Sequence, residues 1–193
     1  FDMTGRVIAS DAEALIGERP YPVDTGWLPE ALGGRVTMTP PFKSVVLLPD
    51  VTGQLRSGVP TMFALAPVRD AAGKQIAVIG IRIRPDADFT RIFSIARSGK
   101  TGETYAMSKE GVMLSLSRFD EELKQIGLLT DDAATQSILT LEIRDPGVDM
   151  RGSKRPALRR SEQPFTRMAQ DLMQGKSGAD VDGYRDYRGV PVL

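Results

Sequence analysis

The chain has 193 residues, of which 41% are hydrophobic and 26% charged, enough for one sizeable core or two modest ones. Basic and acidic residues number 25 each, so the formal net charge is zero. No long run of one sign stands out to steer nucleic acid or an acidic membrane, so nucleic-acid binding is disfavoured. The absence of His and Cys excludes Ser-His-Asp and Cys-His catalysis, thiol redox chemistry and His/Cys zinc sites, and we expect no cofactor.

A short polar turn that closes on glycine and leads directly into a strand occurs four times. Glycine supplies the positive φ that such hairpin turns need, and Asp or Ser can bond the turn backbone. The four turns fall into two pairs, which predicts an α+β fold with two similar lobes, each an antiparallel sheet with flanking helices and loops. They are Asp2–Gly5, Asp70–Gly73, Ser108–Gly111 and Asp186–Gly189.

In the first lobe, residues 1–98, we predict antiparallel strands at Thr61 to Val68 and Lys74 to Arg84, joined by the Asp70 turn. The Pro- and Gly-rich segment from Gly17 to Gly58, which holds the only Trp, is expected to be a loop over the sheet. A helix over residues 88–98, with Asp88 as N-cap and Gly99 at C′, is expected to connect the lobes.

In the second lobe, residues 99–193, alternating apolar residues predict a hairpin of two strands, another strand and two helices. The stretch Gly147 to Gln163 is polar and basic without periodicity, and is expected to be an exposed loop. The predicted elements are strands Glu103 to Ser108, Val112 to Ser117 and Ile138 to Arg144, and helices Asp120 to Ile126 and Pro164 to Gln174 with Phe165, Met168, Ala169 and Leu172 on one face.

Two kinds of motif are rejected. Gly99-Lys100-Thr101 and Gly175-Lys176-Ser177 lack the upstream Gly of a phosphate-binding loop and indicate helix-end turns instead. Asp180 to Gly183 lacks the further oxygen ligands of a calcium loop, which favours a turn into a strand.

Two arginines interrupt the most apolar strand of the chain. Strand alternation puts Ile79, Ile81 and Ile83 on one face and Arg82 and Arg84 on the other, with Val78 and Gly80. The arginine face looks either to solvent or into a polar pocket.

The order of these elements resembles the double Cache domain, the tandem PAS-like sensor of bacterial transmembrane receptors. The resemblance covers essentially the whole chain and is more specific in the second half. Its first half is carried by Gly58-Val59-Pro60-Thr61-Met62-Phe63-Ala64-Leu65-Ala66-Pro67-Val68-Arg69-Asp70-Ala71-Ala72-Gly73 before the Ile-rich strand. Its second half is carried by Gly102-Glu103-Thr104-Tyr105-Ala106, Leu114 to Phe119, Arg144-Asp145-Pro146-Gly147 and Gly183 to Val192.

The resemblance implies a small-molecule site in the membrane-distal first lobe. Amino-acid-binding members hold their ligand with a Trp-Tyr pair and an Arg in the loop and with two Asp residues on the sheet. In this chain Trp27 matches the Trp, but Thr25 stands at the Arg position and Leu28 at the Tyr position. Arg82 stands at the position of the final Asp. An Arg in place of that Asp favours an anionic or acceptor-rich ligand. We expect Arg82 to bind it, with Trp27, Tyr21 and Met62 as walls; the alternative for Arg82 is a structural pairing with a local acid.

The resemblance further implies a non-enzymatic sensor at the periplasmic or extracellular face of a bacterial inner membrane, in a membrane-anchored receptor. The family's long N-terminal helix is missing from this sequence and both ends are expected to be truncated; a homodimer would form through that helix. The string Tyr184 to Val190 is expected to be an architectural ladder. Two alternatives remain open: a carboxylate-based hydrolase, and a dimerisation or interaction module without a small ligand.

Overall fold

The computed structural model describes residues 1–21, 26–96, 99 and 101–192, and these form two compact units, Phe1–Asp88 and Phe89–Leu193. Both units mix short helices with small antiparallel sheets, as the predicted α+β class requires. The units divide at residue 88 rather than at the expected residue 98. Within the described residues, no helix has the length and apolar character needed to span a bilayer.

The four predicted glycine turns all form, and a fifth of the same kind lies at Asp50–Gly53. In each, the glycine has a φ between 79° and 84°, and its N–H donates to the carbonyl of the first turn residue. The side-chain oxygen of that first Asp or Ser accepts two backbone N–H bonds, as Asp70 Oδ1 does from Ala72 and Lys74 at 3.0 and 2.9 Å. These turns are stable because a short side chain satisfies the backbone that the chain reversal exposes.

Unit 1 is built on the predicted hairpin. Strand β5, Pro60–Arg69, pairs antiparallel with β6, Gln75–Ile83, and a bulge between Val68 and Arg69 shifts the register by one residue. Strands β1, Thr37–Met38, and β2, Phe42–Lys43, pair with β5, making a four-stranded sheet.

The segment predicted as loop from Gly17 to Gly58 contains regular structure. Besides β1 and β2, it forms helix α1 at Trp27–Leu32 and the pair β3, Leu48–Pro49, and β4, Leu55–Arg56. A 3-10 turn at Glu13–Leu15 comes just before the segment. The loop prediction was therefore wrong in part. These elements are too short for a period of apolar residues to reveal them, and their pairing depends on β5, which is distant in sequence.

The connector helix predicted over residues 88–98 is shorter than expected. A π-helical turn, Pro85–Phe89, runs into α2, Thr90–Ser94, and Arg97 and Ser98 lie outside the described residues. Asp88 is not the N-cap, since its carboxylate accepts the Arg84 N–H at 3.3 Å.

In unit 2 both predicted helices form, but the three predicted strands are present only as isolated β-bridges. Helices α3, Asp120–Gln125, and α4, Arg167–Met173, are confirmed, with Thr166 capping α4, and a 3-10 turn lies at Arg160–Glu162. The short pair β7, Tyr184–Arg185, and β8, Pro191–Val192, closes the unit. Single bridges join Met107 to Met113, Val112 to Glu142 and Arg144 to Phe165.

The strand predicted over Ile138 to Arg144 was wrong because Leu139 has a φ of 56°, which a continuous strand cannot contain. The buried face of α4 was also assigned too broadly, since Leu172 is 48% exposed whereas Ala169 is fully buried. The unit is held by an apolar core with partly buried aromatics around it, comprising Met113, Leu123, Leu129, Leu141, Ile143, Ala169 and Tyr187.

Candidate ligand site

The candidate site lies on the covered face of the β5–β6 hairpin in unit 1. Antiparallel register places Phe63 opposite Arg82 and Leu65 opposite Gly80, so these four residues share one face. Leu65 and Val78 are buried there against Ala31 of α1. A Cβ on Gly80 would lie 3.0 Å from Leu65 Cδ2, so a larger residue there would have to displace the Leu65 side chain slightly. The opposite face is open: Ile79 and Ile81 are more than half exposed.

A group of aromatic rings, here the aromatic cluster, packs on the covered face. Ring centroids within it lie 5.2 to 6.1 Å apart, mostly in edge or tilted geometry, with Trp27 and Phe42 stacked at 5.7 Å. Aromatic pairs prefer these arrangements because ring edges are positive and ring faces negative. Only Tyr21 is fully buried; the other members keep part of their surface accessible. The cluster consists of Phe1, Tyr21, Trp27, Phe42 and Phe63.

Arg82 lies at this cluster, directly opposite Phe63 in the sheet. Its Nε donates to the hydroxyl of Thr61 at 3.1 Å, and Thr61 is fully buried. Within the described part of the chain, no carboxylate lies within ion-pair distance of its guanidinium, unlike that of Arg84, which pairs with Asp86 at 2.6 Å. The two terminal nitrogens of Arg82 are therefore available to a planar acceptor such as a carboxylate.

The pKa directions agree with a guanidinium that is partly removed from water. Burial is the largest cause that lowers the pKa of Arg82, and the nearby positive charge of Arg84 lowers it further. Burial raises the pKa of the Tyr21 hydroxyl, and the positive charge of Arg82 opposes that rise. Tyr21 and Arg82 are therefore close enough to interact, and both keep their usual charge at neutral pH.

The structure brings together three of the four predicted ligand residues. Tyr21 and Trp27 are in contact, with ring centroids 5.2 Å apart, and Arg82 interacts with Tyr21. Met62 is not part of the group: it is buried, but it pairs with Ile83 and so lies on the other face of β5 from Phe63. Leu28 is a core residue with no exposed surface, and Thr25 lies outside the described residues.

Four residues of the site were missed by sequence reasoning: Phe1, Phe42, Thr61 and Phe63. Phe63 and Thr61 alternate along β5, so the face that holds Arg82 also had to hold them once the strand register was known. No sequence pattern indicated Phe42, because its strand has only two residues and pairs with a part of β5 that is distant in sequence.

Unit 2 holds a second group of polar side chains, which is internally satisfied. The Glu103 carboxylate accepts from the Ser117 hydroxyl and the Arg118 N–H, each at 2.8 Å, and from the Tyr187 hydroxyl. Burial, more than the neighbouring Glu103 charge, raises the pKa of Tyr187 well above its usual value. Because both oxygens of Glu103 are engaged, this group is internally satisfied. In the string Tyr184 to Val190, which was expected to be an architectural ladder, Tyr184 and Arg185 pair with β8, while Tyr187 bonds Glu103 and Ser117 instead.

The rejected motifs behave as turns. Asp180 Oδ1 accepts from the Asp182 and Gly183 N–H groups just before β7, so the turn into a strand is confirmed. Gly175 follows α4 with a φ of 72°, as a helix-end glycine does. Among the described residues there is no group of three or more potential metal ligands. Lys100, in the other rejected motif, lies outside them.

Comparison with known proteins yields no assignment: no protein-family model, no curated protein and no solved structure matches this chain.

Proposed function

We propose that this chain is the ligand-sensing extracytoplasmic domain of a bacterial signal-transduction receptor, with two PAS-like Cache lobes. The distal lobe binds a small anionic or acceptor-rich molecule at Arg82, Tyr21 and Trp27. The single observation that carries the ligand part is the Arg82 guanidinium, which lies beside the aromatic cluster with a hydroxyl on one nitrogen and no described carboxylate within ion-pair distance. The chain itself performs no chemistry in this proposal.

Two features support the lobe assignment. The chain divides into two compact α+β units. Each unit contains two of the four glycine turns on which the family resemblance rests, and in unit 1 a covering segment with the only Trp packs on the long hairpin. The membrane location, the receptor and the output domain rest on the resemblance alone.

The chemistry of the site supports an anion in particular. Arg presents its donors in a planar fork that matches a carboxylate or phosphate group. The partly exposed rings of Trp27 and Phe42 offer apolar surface next to that charge. Ligand sites commonly combine apolar walls with a few convergent polar groups, and this arrangement has both.

The test is a thermal-shift screen against organic acids, nucleobases and amines, followed by titration of each hit. Trp27 is the only Trp, so its fluorescence reports binding at the site itself. At a ligand concentration of about 100 times Kd, binding contributes roughly 2.7 kcal/mol to stability, enough to shift Tm by several degrees. We expect an acid among the hits, with binding reduced about tenfold or more in Arg82→Ala.

The matched control is Lys74→Gln, which removes one positive charge from the exposed Asp70 turn of the same hairpin. It should bind the acid as the wild type does. Stabilisation by amines alone that persists in Arg82→Ala would refute the proposal, and so would equal losses in the two variants.

Each of the two alternative functions requires its own observation. A carboxylate-based hydrolase needs two acids that converge with raised pKa values. Asp120 in unit 2 has a raised pKa, chiefly through burial, but nearby Glu103 is held by three donors.

A dimerisation module without a small ligand would use the exposed Ile79 and Ile81 face, and concentration-dependent sedimentation without any ligand hit would favour it.

A further inference from the structure

Unit 2 carries a local concentration of positive charge that the zero net charge of the whole chain conceals. Residues 151–159, here the basic loop, contain four basic residues and no acidic one. The wider segment 149–162 has five basic and two acidic residues, a net charge of +3, so the rest of the chain carries −3. The basic residues of the loop are Arg151, Lys154, Arg155 and Arg159.

The basic loop is fixed at both ends. On its N-terminal side, buried Met150 donates its N–H to the carbonyl of Arg188 at 3.0 Å. On its C-terminal side, the Arg160 guanidinium donates to the carbonyls of Glu142 and Arg144 and to the Gln163 side chain. Burial lowers the pKa of Arg160 to about 10, which leaves it charged at neutral pH. The loop therefore projects from two anchors rather than from a free end.

All four basic side chains of the loop belong to exposed residues. Arg151 pairs with Asp149 at 2.7 Å, and Arg159 reaches Glu162 only at 3.5 Å with 87% of its own side chain exposed. Arg155 contacts backbone carbonyls alone among the described residues, and Lys154 has no acid within ion-pair distance there. Exposed pairs of this kind contribute little, so most of this positive charge is available to a partner.

The composition of the loop favours a lipid surface over other anionic partners. Leu158, between Arg155 and Arg159, is 50% exposed, so an apolar side chain projects among the cations. Basic residues next to an exposed apolar one are what an anionic membrane surface binds. The loop has no aromatic residue to stack on bases, and the described residues give it no strand edge for pairing with a peptide.

We propose that the basic loop of unit 2 binds the surface of an anionic phospholipid membrane. The four basic side chains approach the headgroup phosphates and Leu158 enters the headgroup layer. This contact is separate from the ligand site at Arg82 and does not depend on it. Each basic residue that reaches the surface strengthens binding about fivefold.

The test is co-sedimentation of the whole chain with vesicles of phosphatidylcholine alone and of phosphatidylcholine mixed in equal parts with phosphatidylglycerol. We expect binding only to the mixed vesicles, weakening as salt is raised. The loop variant changes the four basic residues, each worth about fivefold, and should lose about 600-fold in partitioning. Leu158→Asn should lose a few-fold. The substitutions in the loop variant are Arg151→Gln, Lys154→Gln, Arg155→Gln and Arg159→Gln.

A matched control changes four exposed basic residues of unit 1, so that its net charge equals that of the loop variant. It should bind as the wild type does, and circular dichroism should show both variants folded. Failure of the wild type to bind mixed vesicles overturns the proposal, as does an equal loss in the control. Binding to poly-glutamate or an oligonucleotide without binding to vesicles also overturns it. The control substitutions are Arg6→Gln, Arg35→Gln, Lys43→Gln and Lys74→Gln.

Discussion

Arg82 in unit 1 and Arg188 in unit 2 both have aromatic neighbours, but their surroundings differ. The Arg188 guanidinium is centred 3.5 Å above the Phe119 ring and bonds Asp186 at 2.7 Å and Glu122 at 3.0 Å, with only 4% of the side chain exposed. Arg82 has aromatic neighbours and bonds the Thr61 hydroxyl, but no carboxylate of a described residue lies within ion-pair distance of it.

The pKa directions of the two arginines record that difference. Burial acts on both and lowers the pKa in each case. At Arg188 the negative charges of Asp186 and Glu122 more than offset burial, so its pKa rises. At Arg82, burial and the positive charge of Arg84 outweigh the smaller opposing effects of the Asp86 and Asp11 charges, and the pKa falls. An arginine beside aromatic rings is therefore architectural or available depending on the acids around it.

The sharpest way to break this comparison is to truncate each arginine. Arg188→Ala leaves Asp186 and Glu122 with unpaired charge in a buried site and should lower the free energy of unfolding by about 3 kcal/mol or more. Arg82→Ala loses one hydrogen bond and should cost about 1 kcal/mol or less. Urea denaturation measures both, with Trp27 fluorescence for unit 1 and near-ultraviolet tyrosine signal for unit 2, which holds three of the four Tyr.

Arg188→Met tests the cause of the larger effect. It keeps an apolar side chain over Phe119 but removes the charge, so it should remain well below the wild type in stability. If Arg188→Met matched the wild type, packing rather than ion pairing would hold this residue, and the comparison with Arg82 would fail.

The glycine turns provide a second comparison between the units. Gly73 and Gly189 have the same φ of 81°, but a Cβ at Gly73 would meet nothing within 4 Å whereas one at Gly189 would lie 1.8 Å from the Val148 carbonyl oxygen. Gly73→Ala should therefore cost only the left-handed strain, about 1 to 2 kcal/mol. Gly189→Ala adds a clash with backbone and should cost about 3 kcal/mol or more, measured by the same denaturation. Equal costs would show that the turn closing unit 2 is as open as the one in unit 1.

The turns were predictable from sequence because their stabilising contacts are local. An Asp or Ser and a Gly three residues later contain both the side-chain acceptor and the positive φ that the turn needs. The fifth turn, at Asp50–Gly53, has the same residues, and its Asp50 Oδ1 accepts from Thr52 and Gln54 as the others do. The same signal could have found it.

The register of the main hairpin could not be read from its turn. Counting back from the Asp70 turn without a bulge would put Met62 opposite Arg82. The bulge at Val68/Arg69 puts Phe63 there instead and moves Met62 to the other face. A shift of one residue exchanges the two faces of a strand, so it decides which side chains line the site.

Elements that depend on distant partners were the ones least accessible to prediction. Strands β1 and β2 have two residues each and exist because β5 offers them hydrogen bonds. In unit 2, the predicted strand at Ile138 to Arg144 has the right apolar pattern, but its backbone turns at Leu139, where its N–H donates to the Met113 carbonyl. Pattern alone reports burial, and tertiary contacts decide whether the buried segment is a strand.

The smallest expected effect concerns a charge in unit 2 that lacks a full set of partners, Asp120. Its Oδ2 accepts the Ser137 N–H at 3.1 Å, while its buried Oδ1 has no hydrogen bond from any described residue. Burial raises its pKa; hydrogen bonding by Ser137 and the positive charge of Lys124 oppose this rise, and nearby Glu103 adds to it. The folded state therefore retains this proton at a pH where the unfolded chain has released it.

Because the folded state binds the extra proton, stability from this group is full below the unfolded pKa of about 4 and declines as pH rises through the higher folded pKa. Asp120→Asn removes the titration, so its stability relative to the wild type should rise from about pH 4 upward and level off once the carboxyl is ionised. Urea midpoints over a pH series measure this, with the exposed Asp131→Asn as control. If the stability difference between Asp120→Asn and the wild type did not change with pH, or if Asp131→Asn showed the same change, Asp120 would be a solvated carboxylate. Unit 2 would then contain no buried, incompletely bonded anion to compare with the Arg82 cation of unit 1.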